Sequence, residues 1–162
     1  MCKKLTFFCL IAALAAYGCS DSPASPSSGT SSTTGGTTIG GTLTATIDGV
    51  PFVASVVAVT PPSFVGGALQ FGGNSGGAVN GTSLAIFAPR QVGTWAVGGT
   101  GGTTVGAGLT IFSGGVATDY NASSGSVTVT SLSATGGVGT FAFVMSRSGV
   151  NKAVTNGVFN VF

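Results

Sequence analysis

The strongest fold signal in this chain is the stretch Thr42-Leu43-Thr44-Ala45-Thr46-Ile47-Asp48-Gly49. Its apolar residues alternate one by one with threonines. A period of two places the two sets on opposite faces of a β-strand. The pair Asp48-Gly49 is a turn signal, so the strand is expected to end there. The stretch therefore predicts a half-buried strand whose threonines face solvent.

Short apolar segments of the same kind recur along the chain, and no window favours a helix. Turn residues separate them, with Asn80-Gly81 and Ser113-Gly114-Gly115 as hairpin signals and Asn156-Gly157 as a bulge signal. About ten short strands at this spacing predict an all-β domain, an antiparallel sandwich or barrel. The domain covers residues 42–162, and after the first strand its predicted strands are 52–60, 68–71, 82–88, 93–97, 108–112, 116–120, 126–132, 138–145 and 153–162.

The predicted core is aromatic. Nine phenylalanines follow residue 18, and the segment 138–145 places Phe141, Phe143 and Met145 on one face of a strand. Buried aromatic rings of this kind contribute about 2–3 kcal/mol each. We therefore expect Phe141→Ala to cost about 3–5 kcal/mol of stability if the ring is central.

Residues 1–18 are typical of an export signal. Lys3 and Lys4 give it a positive start, and an apolar run follows that is shorter than the roughly 20 residues of a transmembrane helix. Gly18-Cys19 then resembles the cleavage site of bacterial lipoproteins, which implies a lipid on the Cys19 sulfur. Ordinary signal cleavage after Ala15 is the alternative, and it would give a secreted protein.

The cysteine pattern agrees with lipidation. Cys2 and Cys9 lie within the signal, so Cys19 is the only cysteine of the processed chain and no disulfide can form within it. By the same resemblance, Ser20 lacks the acidic character that retains some lipoproteins in the inner membrane. We therefore expect a cell-envelope protein that is attached to the outer membrane through Cys19, with the membrane as its first partner.

A tether is predicted between this anchor and the domain. Residues 19–41 consist largely of Ser, Thr, Gly and Pro. Such a segment cannot bury a core, and we expect it to be disordered. Its root-mean-square reach is roughly 25 Å, enough to hold the domain clear of lipid headgroups.

The composition limits the partners of the domain. Charged residues make up 5% of the chain, against about 25% in an ordinary domain, and the net charge is +2. Loss of Lys3 and Lys4 with the signal leaves the processed chain neutral. Such a chain cannot neutralise a phosphate track, so we expect no nucleic-acid binding. The scarcity of Glu and Lys likewise excludes coiled coils and helix bundles.

Four segments of the domain resemble a family of uncharacterised bacterial lipoprotein domains. They are Thr44-Ala45-Thr46-Ile47-Asp48-Gly49-Val50-Pro51-Phe52 and the segments 127–130, 139–143 and 154–161. The resemblance implies an all-β domain and no assigned activity. The family often has tryptophan where this chain has Phe52, a departure that concerns packing.

Metal and cofactor chemistry lacks ligands in this sequence. The chain has no His and no Glu, and its thiols do not pair, so we expect no metal and no cofactor. Asp119 and Asn121 would supply calcium with two oxygens. A hairpin end explains these two residues more simply.

Two catalytic arrangements are the alternatives to a non-enzyme. Asp48 and Asp119 would form a carboxylate pair, and Ser146 or Ser148 with Lys152 would form a nucleophile and base. The turn already explains Asp48, and a polar hairpin explains the two serines. We therefore expect no enzyme, with a hydrolase of unusual Asp or Ser-Lys centre as the alternative.

Binding is the function class that the sequence leaves open. Trp95 and Tyr120 are the candidate ligand-binding residues, because aromatic rings stack on sugars, although a single tryptophan is more often core. The Ser, Thr and Gly surface also suits adhesion. We expect a lipid-anchored envelope domain with a non-catalytic binding, adhesion or structural role, whose partner is a glycan or another envelope protein. A carbohydrate-binding module is the alternative.

Overall fold

The computed structural model describes residues 38–60, 68–99 and 104–162. The predicted signal 1–18, Cys19 and the predicted tether up to residue 37 lie outside the described residues. No described helix has the length and apolarity needed to span a membrane. The eleven described strands are β1 (Thr38–Ile39), β2 (Gly41–Ile47), β3 (Val50–Val53), β4 (Val56–Thr60), β5 (Leu69–Gly76), β6 (Gly81–Ala88), β7 (Gly93–Ala96), β8 (Gly106–Ser113), β9 (Val116–Leu132), β10 (Gly137–Arg147) and β11 (Val150–Val161).

The strands form one curled antiparallel sheet, a half-barrel, which confirms the predicted all-β class. Their order is β1-β4-β5-β6-β8-β9-β10-β11-β2-β3, with β7 paired to β9. β1 and β2 are two parts of one extended segment: β1 pairs with β4, and β2 pairs with β11. The Gly40 N–H between them donates to the Val57 carbonyl at 3.2 Å. This segment therefore ties distant strands of the sheet together and curls it.

The hydrophobic core lies inside the curl. In β10 every second residue is buried, including Phe141, Phe143 and Met145, which confirms their predicted shared face. The rings of Phe71 in β5 and Phe159 in β11 lie 4.5 Å apart although these strands are not neighbours. The two sides of the curl thus meet through aromatic side chains.

The predicted turn signals are confirmed at the hairpins. Asp48 and Gly49 connect β2 to β3 with φ of 48° and 82°, the left-handed pair that a two-residue hairpin turn needs. Gly114 and Gly115 connect β8 to β9 in the same way. The bulge predicted at Asn156-Gly157 appears as a register shift of β11 against β2.

The predicted strand 52–60 is wrong, because the structure divides it into β3 and β4. The chain changes partner at the break. The Ala54 N–H donates to the Leu43 carbonyl of β2, and the Ser55 N–H donates to the Asn74 carbonyl of β5. The valine-rich pattern carries no signal for this exchange, which depends on where β2 and β5 lie.

The predicted strands 116–120 and 126–132 are also not separate. They form the single strand β9, which pairs with β8 near its start and with β7 further on. The residues between them pair with β10, and Gly125 adopts a φ of 122° within the strand. Asp119 and Asn121 therefore lie in the middle of a strand and not at a hairpin end. The sheet also begins earlier than predicted, with β1 and Gly41 inside the segment assigned to the tether.

The strand directions give the sheet two different ends. β2, β5, β8 and β10 run towards one end, and four short connections follow them at 48–49, 77–80, 114–115 and 148–149. We call this end the turn end. The described chain begins with β1 at the opposite end, because β1 continues into β2.

Candidate functional site

A half-open pocket of about 490 Å³ lies at the turn end. It is located between β3 on one side and the β5–β6 hairpin on the other. Ligand pockets in proteins commonly measure about 300–1,000 Å³ and often open at the mouths of β-barrels. Its wall consists of Ile47, Asp48, Val50, Pro51, Phe52, Ser75, Gly76, Asn80, Gly81, Thr82, Ile111 and Lys152.

The apolar part of the wall is the upper layer of the core. Ile47 and Phe52 are buried side chains of β2 and β3, and Ile111 of β8 packs against the same core. Each side chain points inward because alternate residues of a strand lie on the same face. The pocket thus offers a ligand apolar surface that continues from the folded core.

An ion pair stands at the rim of the pocket. The Lys152 Nζ donates a hydrogen bond to Asp48 Oδ2 at 2.6 Å, and the two side chains are 26% and 40% exposed. The Ala153 N–H donates to Asp48 Oδ1 at 2.8 Å. Both oxygens of the carboxylate are therefore engaged, whereas an ammonium has three N–H donors and only one is used by Asp48.

The pairing stabilises the charged form of both groups. The hydrogen bond from Lys152 and then that from the Ala153 N–H lower the pKa of Asp48 below its ordinary 3.8. The hydrogen bond to Asp48 raises the pKa of Lys152 above its ordinary 10.5. A lysine base needs the opposite shift, so this geometry does not prepare Lys152 to deprotonate Ser146 or Ser148.

The β5–β6 loop is held in place by the neighbouring turn. The Gly114 N–H donates to Asn80 Oδ1 at 3.0 Å, and the Gly115 N–H donates to the Val79 carbonyl at 2.9 Å. Because the Asn80 oxygen is occupied, its amide N–H groups are the part available to a ligand. The hydroxyl-bearing residues Ser75 and Thr82 face each other across the same hairpin.

Tyr120 lies beneath this rim and not beside Trp95. The Lys152 Nζ lies 5.8 Å from the centre of the buried Tyr120 ring, within cation–π range. Trp95 pairs with Val127, seven residues further along β9, which is roughly 23 Å away at about 3.3 Å per residue. The structure therefore does not bring the two predicted ligand-binding residues together.

Trp95 is half-buried against the core. Its indole N–H donates to the Gln91 carbonyl at 3.2 Å. The indole is thus neither a solvent-facing platform nor a fully enclosed core residue.

The two carboxylates are engaged by different partners. Asp119 accepts a hydrogen bond from the Thr110 hydroxyl at 2.7 Å, on the face of β9 opposite to that of the buried Tyr120. Asp48 is engaged at the turn end. The structure therefore does not assemble them into a pair. Among the described residues there is no group of three or more His, Cys, Asp or Glu that could hold a metal ion.

The outer face of the sheet carries an uncharged cross-strand row. Its members are β-branched and face solvent fully or in part, and the hydroxyls of Thr94 and Thr128 are hydrogen-bonded at 2.9 Å. Such a face suits the adhesion role expected from the composition. In register order the row is Thr94, Thr128, Thr140, Val158, Thr44 and Val53.

The sequence-based reasoning missed the Lys152–Asp48 pair. The partners are 104 residues apart, and only the pairing of β11 with β2 brings them together. One signal was present: Lys152 shares the inward register of Val154, which is an unusual position for a lysine in a sheet.

The fold and the site define a curled antiparallel β-domain with a half-open pocket at its turn end. Comparison with protein families, with curated proteins and with solved structures finds no match. The resemblance to uncharacterised lipoprotein domains stays a prediction.

Proposed function

We propose that this protein is a lipid-anchored, non-catalytic binding domain of the cell envelope. Its turn-end pocket is the binding site. The observation that supports this most directly is the direction in which the strands of the sheet run. The pocket lies at the end opposite to β1, which is where the chain from Cys19 joins the domain. The point of attachment therefore does not lie beside the pocket.

Lipidation is tested by metabolic labelling. The chain should incorporate radiolabelled palmitate and sediment with the outer membrane. Cys19→Ala should lose both properties and leave the domain folded. Absence of the label from the original chain would contradict the anchoring part of the proposal.

The binding surface is tested by site-specific photocrosslinking in intact cells. Val50 at the turn end and Val92 at the opposite end are matched positions, because they are 65% and 62% exposed. A photoreactive amino acid at Val50 should capture an envelope component, and the same group at Val92 should not. Capture at Val92 alone, or at neither position, would refute the assignment of the pocket as the binding site.

A carbohydrate-binding module is the second candidate, supported by the half-buried position of Trp95. Contact with a sugar would change the fluorescence of this indole, the only tryptophan in the chain. Titration with envelope glycans should then give a saturable change in this fluorescence. A flat titration would remove this candidate and leave the pocket proposal intact.

A further inference from the structure

We propose that the ligand of the turn-end pocket is a free amphiphile with an apolar body and a carboxylate head. This inference rests on the proposed function and specifies its ligand class. It follows from two properties of the wall: an apolar floor, and a rim ammonium, that of Lys152, with N–H donors beyond the one that Asp48 accepts.

The floor selects an apolar body. Ile47 and Phe52 line the pocket but are buried, so the half-buried Ile111 and the exposed Val50 supply most of the apolar surface that a ligand can cover. An alkyl chain that covers them leaves water without giving up a polar contact. Burial of apolar surface is the main source of affinity in pockets of this kind.

The rim favours a ligand whose head group accepts hydrogen bonds. Asp48 is the only carboxylate in the wall, and both of its oxygens already accept hydrogen bonds. The Lys152 ammonium has N–H donors beyond the one that Asp48 accepts, and no other described residue accepts from it. Asn80 likewise offers its amide N–H groups, because its oxygen is held by Gly114.

A carboxylate satisfies these donors better than an alcohol. It is an acceptor-only group, and its charge strengthens the hydrogen bond from an ammonium. A cationic head would meet Lys152 and would find Asp48 already engaged. The wall therefore favours an alkyl carboxylate over an alkyl amine or an alkyl alcohol of the same length.

The test compares octanoate with 1-octanol by isothermal titration calorimetry. The chain used begins at residue 19 and carries Cys19→Ala, so that neither the apolar segment 5–16 nor an acyl chain competes for the pocket. We expect octanoate to bind roughly tenfold more tightly than octanol, as a charge-assisted hydrogen bond provides. Backbone amide resonances of Gly76 and Gly81 should shift on binding, which locates the ligand at the pocket wall.

Variants separate the head from the body. Lys152→Met keeps the alkyl stem and should remove the preference for octanoate over octanol. Arg147→Met, a matched loss of charge on a residue outside the wall, should change neither affinity. Asp48→Asn releases the ammonium from its carboxylate partner and should strengthen octanoate binding severalfold.

Equal affinity for the two probes, a preference for octanoate that survives Lys152→Met, or absence of binding would each overturn the ligand assignment. None of these results bears on palmitate labelling or on crosslinking at Val50. Conversely, loss of anchoring would leave the calorimetric result standing. The ligand assignment and the proposed function can therefore fail separately.

Discussion

Phe141 is the residue whose removal tests the packing of the core most directly. Its side chain is 4% exposed, and its ring lies 5.6 Å from that of Phe143 and 6.5 Å from that of Phe159. Phe141→Ala removes the ring from the centre of this aromatic group. It also leaves the outer face of β10 unchanged.

The expected cost follows from the surroundings of the ring. Loss of a buried aromatic side chain costs about 3–5 kcal/mol, as the sum of lost burial and of the cavity left behind. The ring lies against Gly157, where an added Cβ would come within 2.4 Å of it. Glycine has no side chain that could relax into the cavity, so we expect a value in the upper half of that range.

Urea denaturation of the Cys19→Ala chain measures the effect. The midpoint should fall by roughly 2 M with an unchanged slope, given a slope of about 1–3 kcal/mol per M. Phe162→Ala is the matched control, because its ring is 54% exposed. That control should cost less than about 1 kcal/mol. A cost for Phe141→Ala below about 1.5 kcal/mol, or one equal to that of the control, would show that the core argument is wrong.

Two further predictions concern a strained glycine and the rim ion pair. Gly125→Ala should cost more than about 2 kcal/mol, because φ is 122° and a Cβ would lie 2.1 Å from the Ala142 carbonyl oxygen. Gly106→Ala, with nothing within 4 Å of the added Cβ, should be close to neutral, and equal melting temperatures for both variants would contradict the described backbone. Asp48→Asn should cost less than about 1 kcal/mol at neutral pH, since the pair is partly exposed and screened. Because the folded pKa of Asp48 lies below its ordinary 3.8, this contribution is present above 3.8 and is lost as the pH falls through the folded pKa. Urea midpoints of the two proteins should therefore converge in acid, and a gap that persists there would show that the pair is not its source.

The hairpins could be predicted because their signals are local. A two-residue turn needs left-handed backbone conformations, and Asp48-Gly49 and Gly114-Gly115 supply residues that adopt them readily. The buried face of β10 could also be predicted, since a period of two assigns alternate residues to one side.

The strand boundaries and the pocket could not be predicted from local sequence signals. β9 continues through a segment that has no apolar alternation, because its backbone pairs with β10 whatever its side chains are. The local sequence predicts that Lys152 is a surface lysine beside a turn. Its place at the rim depends on the pairing of β11 with β2, and so does its contact with Asp48.

The sequence by itself determined the all-β class, the hairpin turns and the inward face of the strands, and it also predicts an export and lipidation signal. These features depend on neighbours within a few residues. Only the tertiary structure decided how the sheet curls, where β3 separates from β4, and that a pocket with one ammonium opens at the turn end. Those features arise from contacts between strands far apart in the chain, and no local pattern of side chains encodes such contacts.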